Sequence, residues 1–278
     1  MALTNLKTVL DQAEQTKTAV PAFNIDTIPA TEGLLEAAEA ANCPVILAIG
    51  QMAIREGRMA ALADLARRAA ESSRVPVVLH LDHSTSYDQI IRAMQLGFTS
   101  VMYDGSHGAF ADNVRESLAV VRTAHAAGVS VECELGAIGG VEDGMSHDRL
   151  NLVDLDEVRE FIGKVDCDAL AVGIGNAHGI YKSTPNLDFD RVRACREMGA
   201  PHLVLHGGSG IPEDMLRKAI NLGIRKINVA TELRIAFLEG LHAAPNPDDF
   251  YGVLRSGRES VRALAADKIR IFTEPAEA

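Results

Sequence analysis

Eight short apolar runs punctuate the chain, and each gives way to a polar turn and then to a segment with apolar residues at helical spacing. The runs cover 19–23, 45–49, 77–81, 100–103, 130–134, 169–173, 203–206 and 226–229. At four to five residues they are strand-sized, whereas ATEGLLEAAEAAN, SYDQIIRAMQLG, NVRESLAVVRTAHAAG and PEDMLRKAINLG between them read as helices. Gly97 and Gly223 close two of these helices, and Pro212 suits a first helical turn. Eight strands alternating with helices over about 250 residues match a (β/α)8 TIM barrel, an α/β fold. The rival is an open doubly wound sheet, which usually carries a glycine-rich turn after its first strand. Here the first run leads into NIDTIPA, which has no glycine, and the glycine-rich turns follow the third to eighth runs instead. Composition shows no break or linker, so residues 1–278 read as one barrel domain, with 241–278 as a loop plus C-terminal helical tail.

With 47% apolar residues the chain can bury a large core. A net charge of −11 argues against nucleic acid as a partner, and no apolar stretch approaches the roughly 20 residues of a membrane span. Its first 20 residues are amphipathic and charged, unlike a secretory leader. Cys43, Cys133, Cys167 and Cys195 are widely spaced and form no CxxC pair. That argues against structural disulfides and a thiolate zinc site, and for a cytoplasmic setting.

The C-terminal ends of barrel strands are where such folds place their chemistry. The third run ends in LHLDHS, which crowds His80, Asp82 and His83 at a strand mouth. The fourth ends in Asp104 and leads to His107, and the fifth carries Glu132 and Glu134. The sixth leads to His178, the seventh ends in His206 and the eighth contains Asn228. One such histidine is more often a hydrogen-bonded packing group than a ligand. Three on separate strands at one rim, each beside Gly or Asp, reverse those odds, because three neutral imidazoles plus an open position make a catalytic zinc site. His83, His178 and His206 are therefore the expected ligands, with Asp82 poised beside them. His80 is expected to point away from the face of His83. His107 is left between ligand and packing group, and Asp104 between site residue and turn cap. His125, His147 and His202 read as structural or exposed.

The turn HGGSGIPEDM joins a strand to a helix, and its exposed backbone N–H groups suit an anion. Barrels often bind phosphate with the loops after their seventh and eighth strands.

Together, VPAFNI, VPVVLHLDHSTSYDQIIRAMQLGFTSVMYDGSH, VECELGAIGGVEDG, NAHGIYKSTPNLDFDR, LVLHGGSGIPEDMLRKAINLGIRKINVATELR and the tail GRESV resemble the class II, zinc-dependent ketose-bisphosphate aldolases. The resemblance spans nearly the whole chain. It implies reversible cleavage of a fructose- or tagatose-type ketose bisphosphate, a phosphorylated sugar, to dihydroxyacetone phosphate and an aldehyde. It implies Zn2+ on His83, His178 and His206, with Glu134 and Asp104 as alternate ligands or supports. Asp82 would be the acid/base on the aldehyde oxygen, and Glu142, in a mobile glycine-rich loop with Gly136, Gly139, Gly140 and Gly144, would handle the C–H proton. Gly179, Gly207, Gly208, Ser209, Asn228, Val229, Ala230 and Thr231 would hold the dihydroxyacetone phosphate portion, near a monovalent cation, Na+ or K+. Arg258 resembles an arginine that holds the second phosphate of a neighbouring subunit's substrate, which implies a homodimer or homotetramer; a solvent-exposed arginine is the plain alternative.

The residues agree with that chemistry. Deprotonation next to a carbonyl makes an enediolate that a metal ion can stabilise, and a carboxylate can exchange protons with the C4 hydroxyl. The sequence departs from relatives at Gly50 and Gln51 and at Val141, which bears on the substrate more than on the reaction. A barrel hydrolase would want a His-x-His after the first run, and PAFNID lacks it. A Schiff-base aldolase needs a desolvated lysine inside the barrel, whereas Lys226 lies at a strand start, the wrong end. A phosphosugar-binding subunit without catalysis would not be expected to keep Asp82 and all three histidines.

Overall fold

The computed structural model describes residues 3–142, 145–147, 152–181 and 183–274, with the backbone alone for 141–142 and 145–147. Its strands are β1 Val20–Asn24, β2 Val45–Ile49, β3 Val77–Ser84, β4 Ser100–Tyr103, β5 Ser130–Leu135, β6 Gly139–Glu142, β7 Met145–His147, β8 Ala169–Val172, β9 Ala177–His178, β10 His202–Leu205 and β11 Ile224–Val229. Eight of them close a parallel barrel in the order β1-β11-β10-β8-β5-β4-β3-β2. These eight coincide with the apolar runs, shifted by up to three residues at the ends. The other three form a small sheet, β7-β6-β9, at the mouth.

The helices among the described residues are α1 Leu6–Thr16, α2 Ile28–Ala40, α3 Gln51–Arg55, α4 Met59–Ser72, α5 Tyr87–Gln95, α6 Phe110–Ala126, α7 Leu155–Ile162, α8 Phe189–Glu197, α9 Glu213–Asn221, α10 Thr231–His242 and α11 Phe250–Thr273. Gly97 and Gly223 take positive φ of 87° and 115° just beyond α5 and α9, as helix-ending glycines do. Pro212 is the cap before α9 rather than part of its first turn. The amphipathic N-terminus has a structural explanation. Leu6, Val9, Leu10 and Ala13 of α1 pack in one cluster with Val20, Ala22, Ile46, Val78, Met102, Ala169, Ala171 and Val204. These strand residues alternate with those packed in the outer cluster, so they line the barrel interior and α1 plugs its lower end. The last helix, α11, lies on α2 and α10, and the loop before it begins at 243 because α10 runs on to His242.

Moving up the barrel, the inward positions change from apolar to polar. Val78 gives way to His80 and Asp82 on β3, and Val204 is followed by His206 after β10. Ala22 is followed by Asn24 on β1, and Glu132 and Glu134 sit opposite Ala169 and Ala171 across the β5–β8 ladder. This polar upper layer is the floor of the site.

Candidate metal centre at the barrel mouth

The strand alternation explains half of LHLDHS. His80 and Asp82 share parity and point into the barrel, where both are buried. His83 has the opposite parity and would face the surrounding helices in a regular strand. Instead it adopts φ 50°, and the β3–β4 register shifts between Leu81 and Ser84. Left-handed backbone is uncommon for a residue with a Cβ and marks functional constraint. Here the kink turns His83 onto the mouth. Gln51, at the start of α3, donates from Nε2 to the Asp82 carbonyl at 3.2 Å, pinning the peptide that makes the turn.

His83, His178 and His206 each offer one ring nitrogen within 4.8 Å of the others. The outer nitrogens are fixed by carboxylates. His206 Nε2 lies 2.7 Å from Glu132 Oε1, and His83 Nδ1 lies 3.0 Å from Asp104 Oδ2. An ionised carboxylate only accepts, so those two nitrogens carry the protons. The remaining nitrogens, His83 Nε2 and His206 Nδ1, then present lone pairs to each other at 2.8 Å. Two facing lone pairs call for a cation between them. In a tetrahedral zinc site with Zn–N near 2.1 Å, ligand nitrogens stand about 3.4 Å apart. An opening of roughly half an ångström reaches that spacing, so the donor set fits a metal ion. Burial, then electrostatic interaction with His83 and Lys226, holds the His206 pKa well below its ordinary value, which keeps the ring a neutral donor.

A second group, His83, Asp104 and Glu134, also converges. The Ser106 hydroxyl lies 2.7 Å from Asp104 Oδ1 and 3.0 Å from Glu134 Oε1, tying the two acids together. Burial pushes the Asp104 carboxyl up, but the hydrogen bonds from His83 and Ser106 prevail and hold it well below the carboxylate range. Glu134 goes the other way, raised by burial and then by the charge of Asp104. Asp104 also accepts from its own Ser106 N–H at 3.0 Å, so it is both a turn residue and part of the site.

Asp82 is 1% exposed and held by two amides. Asn228 Nδ2 donates to Oδ1 and Asn24 Nδ2 to Oδ2, both at 3.1 Å. Burial raises its pKa, yet electrostatic interaction with the neighbouring His83, His206 and Lys226 outweighs that and keeps it lowered. The carboxylate is thus ionised and oriented.

Three turns border this centre. Gly179, φ 90°, follows His178 on β9, and Gly207, φ 64°, follows His206 after β10. Tyr181 staples them, accepting from Ala177 N–H at 2.8 Å and donating to the Gly207 carbonyl at 3.1 Å. The Gly208 N–H donates to the Asn228 carbonyl at 2.9 Å, and Ser209 Oγ accepts from Glu232 N–H at 3.3 Å. Val229 and Ala230 lead from β11 into α10, which Thr231 opens. Asn228 itself points into the barrel at Asp82.

Glu142 falls in β6, whose Gly140 pairs with His178; the expected mobile loop is here a short strand in the same sheet as a candidate ligand. The Glu142 side chain and Gly144 lie outside the described residues. Arg258 lies on α11 and pairs with Glu32 and Glu36 of its own α2. His107 is exposed. His125 and His202 pair with Asp168 and Asp11, at 2.9 and 2.8 Å. The expectations above omitted Asn24, Ser106, Asn176 and Tyr181. Asn176 carries a local signal, a polar residue just before the Ala-His-Gly turn: it donates to the His206 carbonyl at 3.0 Å and so joins the loop after β8 to the end of β10.

A closed parallel barrel with three imidazoles, paired acids and an oriented carboxylate at its C-terminal mouth has the makings of a metal-dependent barrel enzyme. Comparison narrows the class. The class-II fructose-bisphosphate aldolase family matches residues 4–276. Fructose-bisphosphate aldolase of Geobacillus stearothermophilus is 39% identical over 98% of this chain and 97% of its own. The crystal structure of the YdjI aldolase from Escherichia coli K12 superposes with a TM-score of 0.87 at 32% identity, covering 97% of both chains. Fructose-bisphosphate aldolase of Campylobacter jejuni, 24% identical with a TM-score of 0.78 over 98% of this chain and 95% of its own, shares the fold. The chain belongs to the class-II fructose-bisphosphate aldolase family. It is an aldehyde-lyase of carbohydrate metabolism, from a metal-dependent family.

Proposed function

We propose that this aldolase uses Zn2+ and cleaves a ketose 1,6-bisphosphate of the fructose or tagatose type to dihydroxyacetone phosphate and an aldehyde such as glyceraldehyde 3-phosphate. The observation that carries the reading is the facing pair of His83 Nε2 and His206 Nδ1, with their outer nitrogens anchored on Asp104 and Glu132. His83, His178 and His206 would hold the ion, and Asp104 and Glu134 would support or replace a ligand. Three neutral imidazoles suit zinc. When bound, the ion supplies Lewis acidity toward negative charge developing on substrate oxygen.

The chain's own groups would do the rest. Asp82, ionised and steered by Asn24 and Asn228, takes the proton of the C4 hydroxyl as the C3–C4 bond breaks and C4 becomes the aldehyde carbon. Glu142 returns a proton to C3. The turn amides at Gly179, Gly207, Gly208 and Ser209, with Asn228, Val229, Ala230 and Thr231, would hold the dihydroxyacetone phosphate half, assisted by Na+ or K+. Arg258 would clamp the second phosphate of a neighbour's substrate in a homodimer or homotetramer, leaving Glu32 and Glu36 to do so. Exposed Phe250 and Tyr251, at the start of the same helix, support subunit packing there. A cytoplasmic setting fits the four free cysteines, and among the described residues no helix is long and apolar enough to cross a membrane.

The test is a cleavage assay over ketose mono- and bisphosphates, with and without chelator. Cleavage of a bisphosphate that chelator abolishes and Zn2+ restores is the expected result. Full activity after exhaustive metal removal overturns the zinc reading. Preference for a ketose without a second phosphate moves the substrate elsewhere, as the Gly50–Gln51 departure would then explain.

A further inference from the structure

Lys226, on β11, is completely buried in the barrel floor and takes no part in the steps above. Its Nζ lies 2.9 Å from Glu132 Oε2 and 3.1 Å from Oε1, and 2.7 Å from Asn228 Oδ1. These contacts reach both arms of the site. Glu132 is the carboxylate that accepts from His206 Nε2, and Asn228 is the amide that donates to Asp82.

The chemistry of the donors makes the arrangement directional. A lysine ammonium donates and cannot accept. The Asn228 atom facing it must therefore be the carbonyl oxygen, which turns the NH2 toward Asp82. Without that donor the Asn228 amide could turn over and set its oxygen against the Asp82 carboxylate. Two acceptors would then face and repel each other, and Asp82 would lose one of the two amide donors that aim its carboxylate. On the other arm, the ammonium neutralises a carboxylate that would otherwise be an uncompensated buried charge.

We propose that Lys226 is a positioning residue for the aldolase reaction: it fixes the amide of Asn228, and through it the acid/base Asp82, while balancing the carboxylate that orients His206. The proposal rests on the roles given above to Asp82 and His206.

Lys226→Met alone strands a buried carboxylate and can fail to fold, so the comparison is made between Glu132→Gln and the double variant Glu132→Gln/Lys226→Met. These differ in the donor to Asn228 and share a neutral residue at 132. Each is tested for bound Zn2+, for the visible spectrum of the Co2+-substituted protein, and for kcat and KM of fructose 1,6-bisphosphate or tagatose 1,6-bisphosphate cleavage. The double variant is expected to match Glu132→Gln in metal affinity, spectrum and KM, with kcat lower by about tenfold or more, within the range for impaired proton transfer. Equal kcat in the two variants overturns the proposal. So does a fall in kcat matched by an equal loss of metal affinity, which would make Lys226 a support of the fold or the metal alone. A wild-type protein that binds metal and cleaves neither bisphosphate would count against the reading of the substrate instead.

Discussion

His206 faces two ways: its Nε2 meets Glu132 Oε1 at 2.7 Å, and Glu132 is in turn held by Lys226 inside the barrel. Glu132 lies 74 residues away in sequence, yet it decides which imidazole nitrogen is left for a ligand. A carboxylate behind a metal-binding histidine fixes the tautomer and raises ligand basicity. Glu132→Gln should therefore lower Zn2+ affinity by roughly 10–100-fold, read by competition with a chelator of known affinity. Unchanged affinity would mean that His206 is oriented by its backbone alone.

Asp82→Asn keeps the shape of the side chain and removes its ability to take a proton. We expect metal content and melting temperature close to wild type and kcat lower by about 10²–10⁴. Near-native turnover with metal bound would make Asp82 a structural acceptor for Asn24 and Asn228.

Gly207 combines φ 64° with a close approach: a Cβ there would stand 2.1 Å from the Ala177 carbonyl oxygen. Neither chain can give way without moving β9 or the end of β10, which flank His178 and His206. Gly207→Ala should destabilise the fold by about 1–3 kcal/mol and weaken metal binding as well. Calorimetry and metal titration on one sample check both effects, and stability loss with intact metal affinity would uncouple the turn from the ligands.

His80 gives a pH dependence whose sign follows from burial. Its Nδ1 bonds Ser100 Oγ at 2.8 Å, and burial, then the charge of Lys226, keeps its pKa well below the ordinary 6.5. The unfolded chain binds a proton below that value while the folded one does not, so stability is full above it and falls as pH drops. One such group contributes up to about 1.4 kcal/mol per pH unit in that window. Denaturant unfolding of metal-free wild type and His80→Gln between about pH 7 and pH 5.5 should show a shallower slope in the variant. Parallel slopes would count against a neutral buried His80.

Arg258→Ala should raise KM for a ketose bisphosphate about tenfold or more, since a hydrogen bond to a charged group is worth roughly 1.5–3 kcal/mol. Binding of dihydroxyacetone phosphate should stay near wild type. Equal effects on mono- and bisphosphates would leave Arg258 as a tether between α11 and its partners Glu32 and Glu36 on α2.

Most of the barrel was legible in the sequence because its signals are local. A four- to five-residue apolar run and the turn after it are set by neighbours along the chain, and all eight runs became barrel strands. The rim histidines were legible for the same reason: His83 and His206 sit at the ends of their strands, and His178 lies in the segment after one. Strand parity is local too: Glu132 and Glu134, two apart, share a face, whereas His80 and His83, three apart, do not.

Other features come from chain segments far apart. Asn228 and Asp82 are separated by 146 residues, Asn24 and Asp82 by 58, and Lys226 and Glu132 by 94. No period or motif registers such pairings; they exist because β1 closes on β11 and sets inward side chains at one height. The αL turn at His83 is likewise a tertiary decision, since nothing in LHLDHS favours it over a continued strand. The sequence by itself determined which strands form and which groups crown them, through periodicity and turn chemistry that act over a few residues. Which nitrogen of His83 and of His206 faces inward, and which amides steer Asp82, was decided only by barrel closure, because buried polar groups must find partners wherever the fold brings them.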